Sequence, residues 1–168
     1  MAETLEIGNN LTLEGTYKAL IPQIKSLLSK ENKQVTNLSN LAAVLKQTFD
    51  KISWVGFYLY DKEKLYLGPF QGKVACTYID IGEGVCGKAA VEEESVIVPD
   101  VNEFPGHIFC DPDSKSEIVI PIIKNKQLFG VLDIDSPDYN SFNETDEKYL
   151  SEICSYLSTL LVLDRNII

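Results

Sequence analysis

The sequence lacks the features that would direct it into a membrane. None of its 168 residues belongs to an uncharged apolar stretch of 18, and residues 1–10 hold two acids and no apolar run behind basic residues. We therefore expect a cytoplasmic protein with no membrane partner.

Positive charge is also scarce. Lysine and arginine total 15 against 25 aspartates and glutamates, which gives a formal net charge of −10, and the basic residues do not cluster on a predicted face. Phosphate backbones and anionic surfaces repel such a chain. Nucleic acid is therefore not an expected partner.

Cysteine is too sparse for a secreted disulfide scaffold, because only four are present and their spacing is uneven. In a reducing cytosol they are expected to rest as thiols. Paired Cys-X-X-Cys spacing is absent, so no metal is expected. A zinc site built from the one histidine, His107, with Cys76, Cys86 and Cys110 remains a minor alternative.

The hydrophobic pattern predicts one α+β domain over residues 1–168, since 168 residues with 45% hydrophobic composition form one sizeable core. Helices flank a largely antiparallel six-stranded sheet in this prediction. A long loop, residues 99–116, is rich in turn-forming residues and is expected to act as a lid over a ligand. The predicted elements are two opening helices, a hairpin over 53–70, a strand over 74–79, a short helix within 82–94, a strand over 95–98, a hairpin over 117–135 and a closing helix.

The last hairpin carries an unusual set of acids. Asp133 and Asp135 are two apart on a strand, so they share a face. If the turn is centred on Asn125, Glu117 lies opposite Asp133 on the neighbouring strand. The apolar pairs in this register are Ile118 with Leu132 and Ile120 with Gly130. The pattern thus predicts a cluster of three carboxyl groups.

Such acids often do no more than solvate an exposed sheet face. Here Val119, Val131 and Ile123 are expected on the same face, which favours a cavity. Crowded carboxyl groups cannot all ionise readily, so one is expected to hold a proton near neutral pH and to serve as a general acid.

Three cysteines are candidates for redox chemistry. Cys110 lies in the long loop and is the leading nucleophile. Cys76 lies in a predicted strand and Cys86 at a glycine-flanked helix start, where the helix dipole favours a thiolate. Either could resolve a sulfenic acid on Cys110, or both could be ordinary buried thiols. Cys154 lies on an apolar helical stripe and is expected to be structural.

Two large rings accompany these residues. Trp54 and Tyr58 are four apart on the first strand and share a face, where such rings more often form core than bind ligands. His107 could act as a base for Cys110, but a single loop histidine is assigned no firm role.

Five motifs occur in order along the chain, and together they resemble the free methionine-(R)-sulfoxide reductases, which are single GAF-domain enzymes. The resemblance runs from about Trp54 to the closing helix. The motifs are GPFQGKVACT (68–77), GEGVCGKAA (82–90), PGHIFCD (105–111), SEIVIP (116–121) and GVLDIDS (130–136).

The resemblance implies a GAF-type fold and a thiol cycle with no cofactor. Cys110 would attack the sulfoxide sulfur of free methionine-R-sulfoxide, become a sulfenic acid and then form a disulfide with Cys76. Thioredoxin would reduce the disulfide, Cys86 would be an auxiliary thiol, and a homodimer is a family-level expectation.

The resemblance also implies roles for the remaining candidates. Glu117, Asp133 and Asp135 would bind the substrate ammonium group and protonate the sulfoxide oxygen, with Glu117 and Asp135 counted as catalytic. Trp54 and Tyr58 would enclose the methyl group. Two rival hypotheses remain: a GAF sensor that binds a small ligand without turnover, and a zinc-stabilised interaction protein.

Overall fold

The structure is a computed structural model that describes residues 4–108 and 110–163. Its α-helices are α1 (Leu13–Leu27), α2 (Gln34–Thr48), α3 (Gly84–Glu92) and α4 (Glu144–Leu160), with a short 3₁₀ turn at Val101–Glu103. Its strands are β1 (Trp54–Tyr60), β2 (Lys64–Gln71), β3 (Tyr78–Asp80), β4 (Val96–Val98), β5 (Ser116–Lys124) and β6 (Gln127–Ser136).

The six strands form one sheet in the order β3-β2-β1-β6-β5-β4. Every neighbouring pair is antiparallel. The prediction of an α+β domain with helices around an antiparallel sheet is therefore confirmed. None of the helices within the described residues is long and apolar enough to cross a membrane.

The sheet separates two cores because side chains on a strand alternate between its faces. On β1, Val55, Phe57 and Leu59 join the larger core, which α1, α2 and α4 cover. Trp54 and Tyr58 join the smaller core on the opposite face, which α3 covers. The candidate acids share the face of this smaller core.

A buried carboxylate anchors the start of α4. Asp146 is fully buried, accepts a hydrogen bond from the Tyr17 hydroxyl at 2.9 Å and pairs with the Lys51 ammonium at 2.8 Å. It also completes a capping box with Asn143 at the N-terminus of α4. One side chain thereby joins α1, the segment before β1 and α4.

The predicted register of the last hairpin was wrong by two residues. Asn125 and Lys126 both have positive φ (52° and 62°) and form a two-residue turn, not a turn centred on Asn125. An irregularity between Ile122 and Ile123 adds a further shift. Glu117 therefore lies opposite Asp135 and not Asp133. The three acids keep their common face, because a shift of two preserves the alternation. The altered apolar pairs are Ile118 with Ile134 and Ile120 with Leu132.

One further boundary differs from the prediction, that of the strand expected over 74–79. The third strand covers only Tyr78–Asp80, so Cys76 lies in the connection between β2 and β3 and not in a strand. The predicted short helix within 82–94 is α3. The long loop contains the 3₁₀ turn and ends where β5 begins at Ser116, and its residue Phe109 lies outside the described residues.

Candidate active site

Three carboxyl groups meet on the face of the smaller core. Glu117 on β5 lies directly opposite Asp135 on β6, and Asp133 lies two residues earlier on the same face. Glu117 and Asp133 are 5% and 7% exposed, while Asp135 is partly exposed. The predicted cluster is therefore present.

Burial controls the ionisation of this cluster. Desolvation is the main cause that raises the pKa of Glu117, Asp133 and Asp135 well above the ordinary values for these groups. Repulsion adds to it, from Asp135 on Glu117, from Glu117 on Asp133 and from Asp133 on Asp135. At neutral pH the cluster therefore retains protons that it can donate.

Cys86 belongs to this cluster but does not behave as the sequence suggested. It lies in the first turn of α3 and is buried, and desolvation followed by the charge of Asp133 raises the pKa of its thiol. The prediction that the helix start favours a thiolate here was wrong, because burial beside acids outweighs the helix dipole.

The histidine contacts the cluster directly. His107 Nε2 lies 3.2 Å from Glu117 Oε2, and both side chains are almost completely buried. Burial lowers the pKa of His107, so its imidazole is neutral at pH 7. A neutral ring that carries its proton on Nε2 donates a hydrogen bond to Glu117.

A disulfide bond joins Cys76 to Cys110, with a Cα–Cα distance of 5.4 Å. In this form these two cysteines are not the resting thiols that the sequence suggested, and their sulfurs are not available to the zinc site considered above. Cys86 and Cys154 are buried thiols, as was expected for Cys154. The bond is the cysteine pair that the family resemblance implied.

A small cavity of about 30 Å³ connects the disulfide to the acids. That volume holds about one water molecule and is far below the roughly 300 Å³ of a typical ligand pocket. The cavity is therefore too small for an amino acid in this form. The cavity is lined by Ile79, Gly84, Val85, Cys86, His107, Ile108, Cys110, Asp111, Ser114, Glu117, Asp133 and Asp135.

The residues that could bind a metal ion at this site differ from the zinc ligands that the sequence suggested. Among the described residues, Cys86, Glu117 and Asp133 bring a thiol and two carboxyl oxygens within 4.8 Å of one another. Such a set suits a thiophilic divalent ion such as zinc. To bind a metal ion each of the three groups would have to lose its proton, and burial favours their protonated forms. The cluster is therefore better suited to proton donation than to metal binding.

Trp54 and Tyr58 lie beside the cavity and not in its lining in this form. Their rings stack with centroids 6.1 Å apart. The Trp54 indole donates a hydrogen bond to the Lys73 carbonyl at 3.0 Å, and the Tyr58 hydroxyl donates one to the Cys76 carbonyl at 3.1 Å. Both rings thus support the segment that carries Cys76.

Sequence reasoning missed three contacts around the site. Lys73 forms ion pairs with Asp111 and Asp113 of the long loop, and His107 pairs with Glu117. Both Lys73 contacts join irregular segments, where no periodic hydrophobic pattern exists from which a contact could be predicted. The only available signal was the position of Lys73 three residues before one cysteine and of Asp111 directly after another.

Comparison with known proteins gives three findings. The family described as GAF domain matches residues 38–162. GAF domain-containing protein A of Dictyostelium discoideum is 54% identical over 94% of this chain and 99% of its own length. The free methionine-R-sulfoxide reductase of Saccharomyces cerevisiae is 41% identical over 94% of this chain and 92% of its own length.

A solved structure extends this similarity to three dimensions. The free methionine-R-sulfoxide reductase of Neisseria meningitidis, in complex with its substrate, superposes with a TM-score of 0.90 and 43% identity. The match covers 94% of each chain.

Proposed function

Because this chain belongs to the GAF domain family, in the group that contains the free methionine-R-sulfoxide reductases, we propose that it reduces free L-methionine (R)-S-oxide to L-methionine. The observation that carries the proposal is the shared cavity. Cys110, already bonded to Cys76, lines the same space as Glu117, Asp133 and Asp135. A sulfur nucleophile and a reservoir of protons are the two groups that this reaction needs.

In the first step the Cys110 sulfur attacks the sulfoxide sulfur. Protonation of the sulfoxide oxygen allows the S–O bond to break as the oxygen moves to the Cys110 sulfur, and the transient bond between the two sulfurs breaks so that methionine leaves and Cys110 becomes a sulfenic acid. The sulfoxide gains two electrons and the thiol loses two. The products are one methionine and one Cys110 sulfenic acid.

The acid cluster supplies the assistance that a thiol needs. A free cysteine has a pKa of about 8.5 and is only a few per cent thiolate at neutral pH. A proton donated by Glu117 or Asp135 makes the sulfoxide sulfur more electrophilic and compensates for the low thiolate fraction. The raised pKa values of these groups keep that proton available at neutral pH.

The same cluster favours a free amino acid over a peptide. No lysine or arginine lines the cavity among the residues that the structure describes. A substrate ammonium group would therefore find carboxyl oxygens of Asp133, Asp135 and Glu117 and no competing cation. A methionine sulfoxide within a peptide has no such ammonium group. The rings of Trp54 and Tyr58 would enclose the substrate methyl group once the site opens.

The cycle closes through the second cysteine. Cys76 attacks the Cys110 sulfenic acid, forms the disulfide and releases water, and thioredoxin then restores both thiols by disulfide exchange. Cys86 serves as an auxiliary thiol. A cytoplasmic location suits this cycle because the reducing enzymes operate there, and a homodimer remains part of the proposal.

The test is turnover by the reduced protein with thioredoxin, thioredoxin reductase and NADPH, followed by quantification of methionine. We expect activity with the free R epimer and none with the S epimer or with peptide substrates. The Cys110→Ser variant should lose turnover, while the matched control Cys154→Ala, in the other core, should retain it. Ligand binding without methionine formation would favour the sensor hypothesis, and full activity of Cys110→Ser would contradict the role of Cys110.

A further inference from the structure

The segment that carries Cys76 has little regular structure to hold it in place. It covers residues 72–77, between the end of β2 and the start of β3. Two hydrogen bonds join its backbone to β1, from Trp54 to the Lys73 carbonyl and from Tyr58 to the Cys76 carbonyl. These contacts fix the segment to the sheet but not to the loop that carries Cys110.

The Lys73 side chain connects this segment to the loop that carries Cys110. Lys73 Nζ lies 3.2 Å from Asp111 Oδ1 and also pairs with Asp113. Asp111 directly follows Cys110 and is 8% exposed, and its Oδ1 also accepts the backbone N–H of Asp113 at 2.9 Å. The two aspartates therefore belong to one ordered turn beside Cys110.

The ion pairs lie close in sequence to the disulfide. Both connect the same two segments, and Lys73 is three residues from Cys76 while Asp111 is one residue from Cys110. When the disulfide is reduced, the ion pairs are a connection between these segments that does not depend on the sulfur atoms.

We propose that Lys73 is a positioning residue that, through Asp111 and Asp113, holds Cys76 against the Cys110 sulfenic acid so that the disulfide forms rapidly. The inference rests on the proposed function. In the step that it serves, the Cys76 thiol attacks the sulfur of the Cys110 sulfenic acid. The S–O bond breaks, the proton of Cys76 leaves with the hydroxyl group as water, and an S–S bond forms.

The expected effect is moderate because the contact is only partly buried. The Lys73 side chain is 58% exposed and that of Asp113 is 71% exposed, so water screens part of the attraction. Asp111 is buried and responds more strongly to the loss of its partner. We expect the loss of Lys73 to slow disulfide formation about three- to tenfold.

The test separates the two chemical steps in one turnover. Reduced wild-type protein and the Lys73→Met variant are mixed with one equivalent of free methionine-R-sulfoxide, and the reaction is quenched at intervals. Methionine release measures the first step, and the Cys76–Cys110 peptide measured without reductant reports the second. We expect normal methionine release, slowed disulfide formation and a sulfenic acid that accumulates in the variant.

Three comparison proteins make the result specific. Lys73→Arg keeps the charge and should restore most of the rate. Asp113→Asn should slow the step by itself and add little to Lys73→Met, because both changes break the same contact. Lys64→Met removes the lysine of another partly exposed pair, with Asp80 at 2.8 Å, and should have no effect.

Oxidation by hydrogen peroxide is a second experiment, which does not depend on the substrate. Peroxide oxidises the Cys110 thiol to a sulfenic acid and is itself reduced to water. If wild-type protein forms no methionine but Lys73→Met slows disulfide formation after peroxide, the proposed function fails and the positioning role stands. If Lys73→Met forms the disulfide at the wild-type rate in both arms, the positioning role is wrong. Equal slowing of methionine release and disulfide formation would also overturn it, because that result indicates general disruption of the site.

Discussion

Glu117→Gln separates catalysis from stability at the acid cluster. Glu117 faces Asp135 across the strands, raises the pKa of Asp133 and contacts His107. The substitution preserves the size of the side chain but removes its ionisable proton. Because general acid catalysis contributes about 10²- to 10⁴-fold, we expect kcat/KM for methionine-R-sulfoxide to fall at least about 100-fold.

The same change should not destabilise the protein. An acid whose pKa is raised on folding favours the folded state fully below its unfolded pKa, and that contribution is lost as the pH rises towards the folded pKa. Glu117 is such an acid, so wild-type stability should decline above about pH 4.5. Between the unfolded and the folded pKa of Glu117, the free energy of unfolding should fall by about 1.4 kcal/mol for each pH unit. Glu117→Gln should remove the Glu117 contribution to this decline, whereas Asp133 and Asp135, whose pKa values are also raised, keep theirs.

The assay is a pair of pH series on the reduced proteins. One series measures kcat/KM, and the other measures the free energy of unfolding by urea, with the exposed Glu63→Gln as the matched control. The expected result is a large loss of activity together with a stability at about pH 7 to 8 that equals or exceeds that of the wild type. Wild-type activity would refute Glu117 as the proton donor, and a loss of stability that grows as the pH rises would refute its assignment as a buried, protonated acid.

Three further results are expected. Cys76→Ser should release about one methionine per protein and then stop, with a sulfenic acid detected by mass spectrometry. Asp146→Ala should lower the free energy of unfolding by about 3 kcal/mol, because it leaves Lys51 and the start of α4 without their buried partner; urea unfolding measures this, and a loss below about 0.5 kcal/mol would contradict it. Gly87→Ala should reduce both stability and activity, since a Cβ there would lie 2.5 Å from the Asp80 carbonyl and push α3 away from the site; unchanged activity would show that α3 tolerates the shift.

The acid cluster was predictable because it depends on alternation alone. Glu117, Asp133 and Asp135 all have odd numbers, and the neighbouring even-numbered residues Ile118, Leu132 and Ile134 join the larger core. The register itself was not predictable, because a shift of two residues leaves every side chain on its original face. The turn at Asn125 and Lys126 and the irregularity before it decided the pairing.

The pKa of Cys86 and the pairing of Cys76 with Cys110 could not be predicted from the residue pattern alone. Cys86 occupies a helix start, which from sequence favours a thiolate, yet burial beside Asp133 raises its pKa. The bond between Cys76 and Cys110 joins residues 34 positions apart in irregular segments. Their pairing followed from the family resemblance and not from the spacing.

The closed cavity constrains the order of events in the proposed cycle. While the disulfide is intact, the space beside Cys110 holds about one water molecule and excludes an amino acid. Because Cys110 is bonded to Cys76 in this form, the reductant must act before Cys110 can attack the next substrate. In the cycle that we propose, methionine release precedes disulfide formation, so the two substrates bind to different redox forms of the protein. This order gives ping-pong kinetics, in which the double-reciprocal lines for methionine-R-sulfoxide remain parallel as the reductant concentration changes.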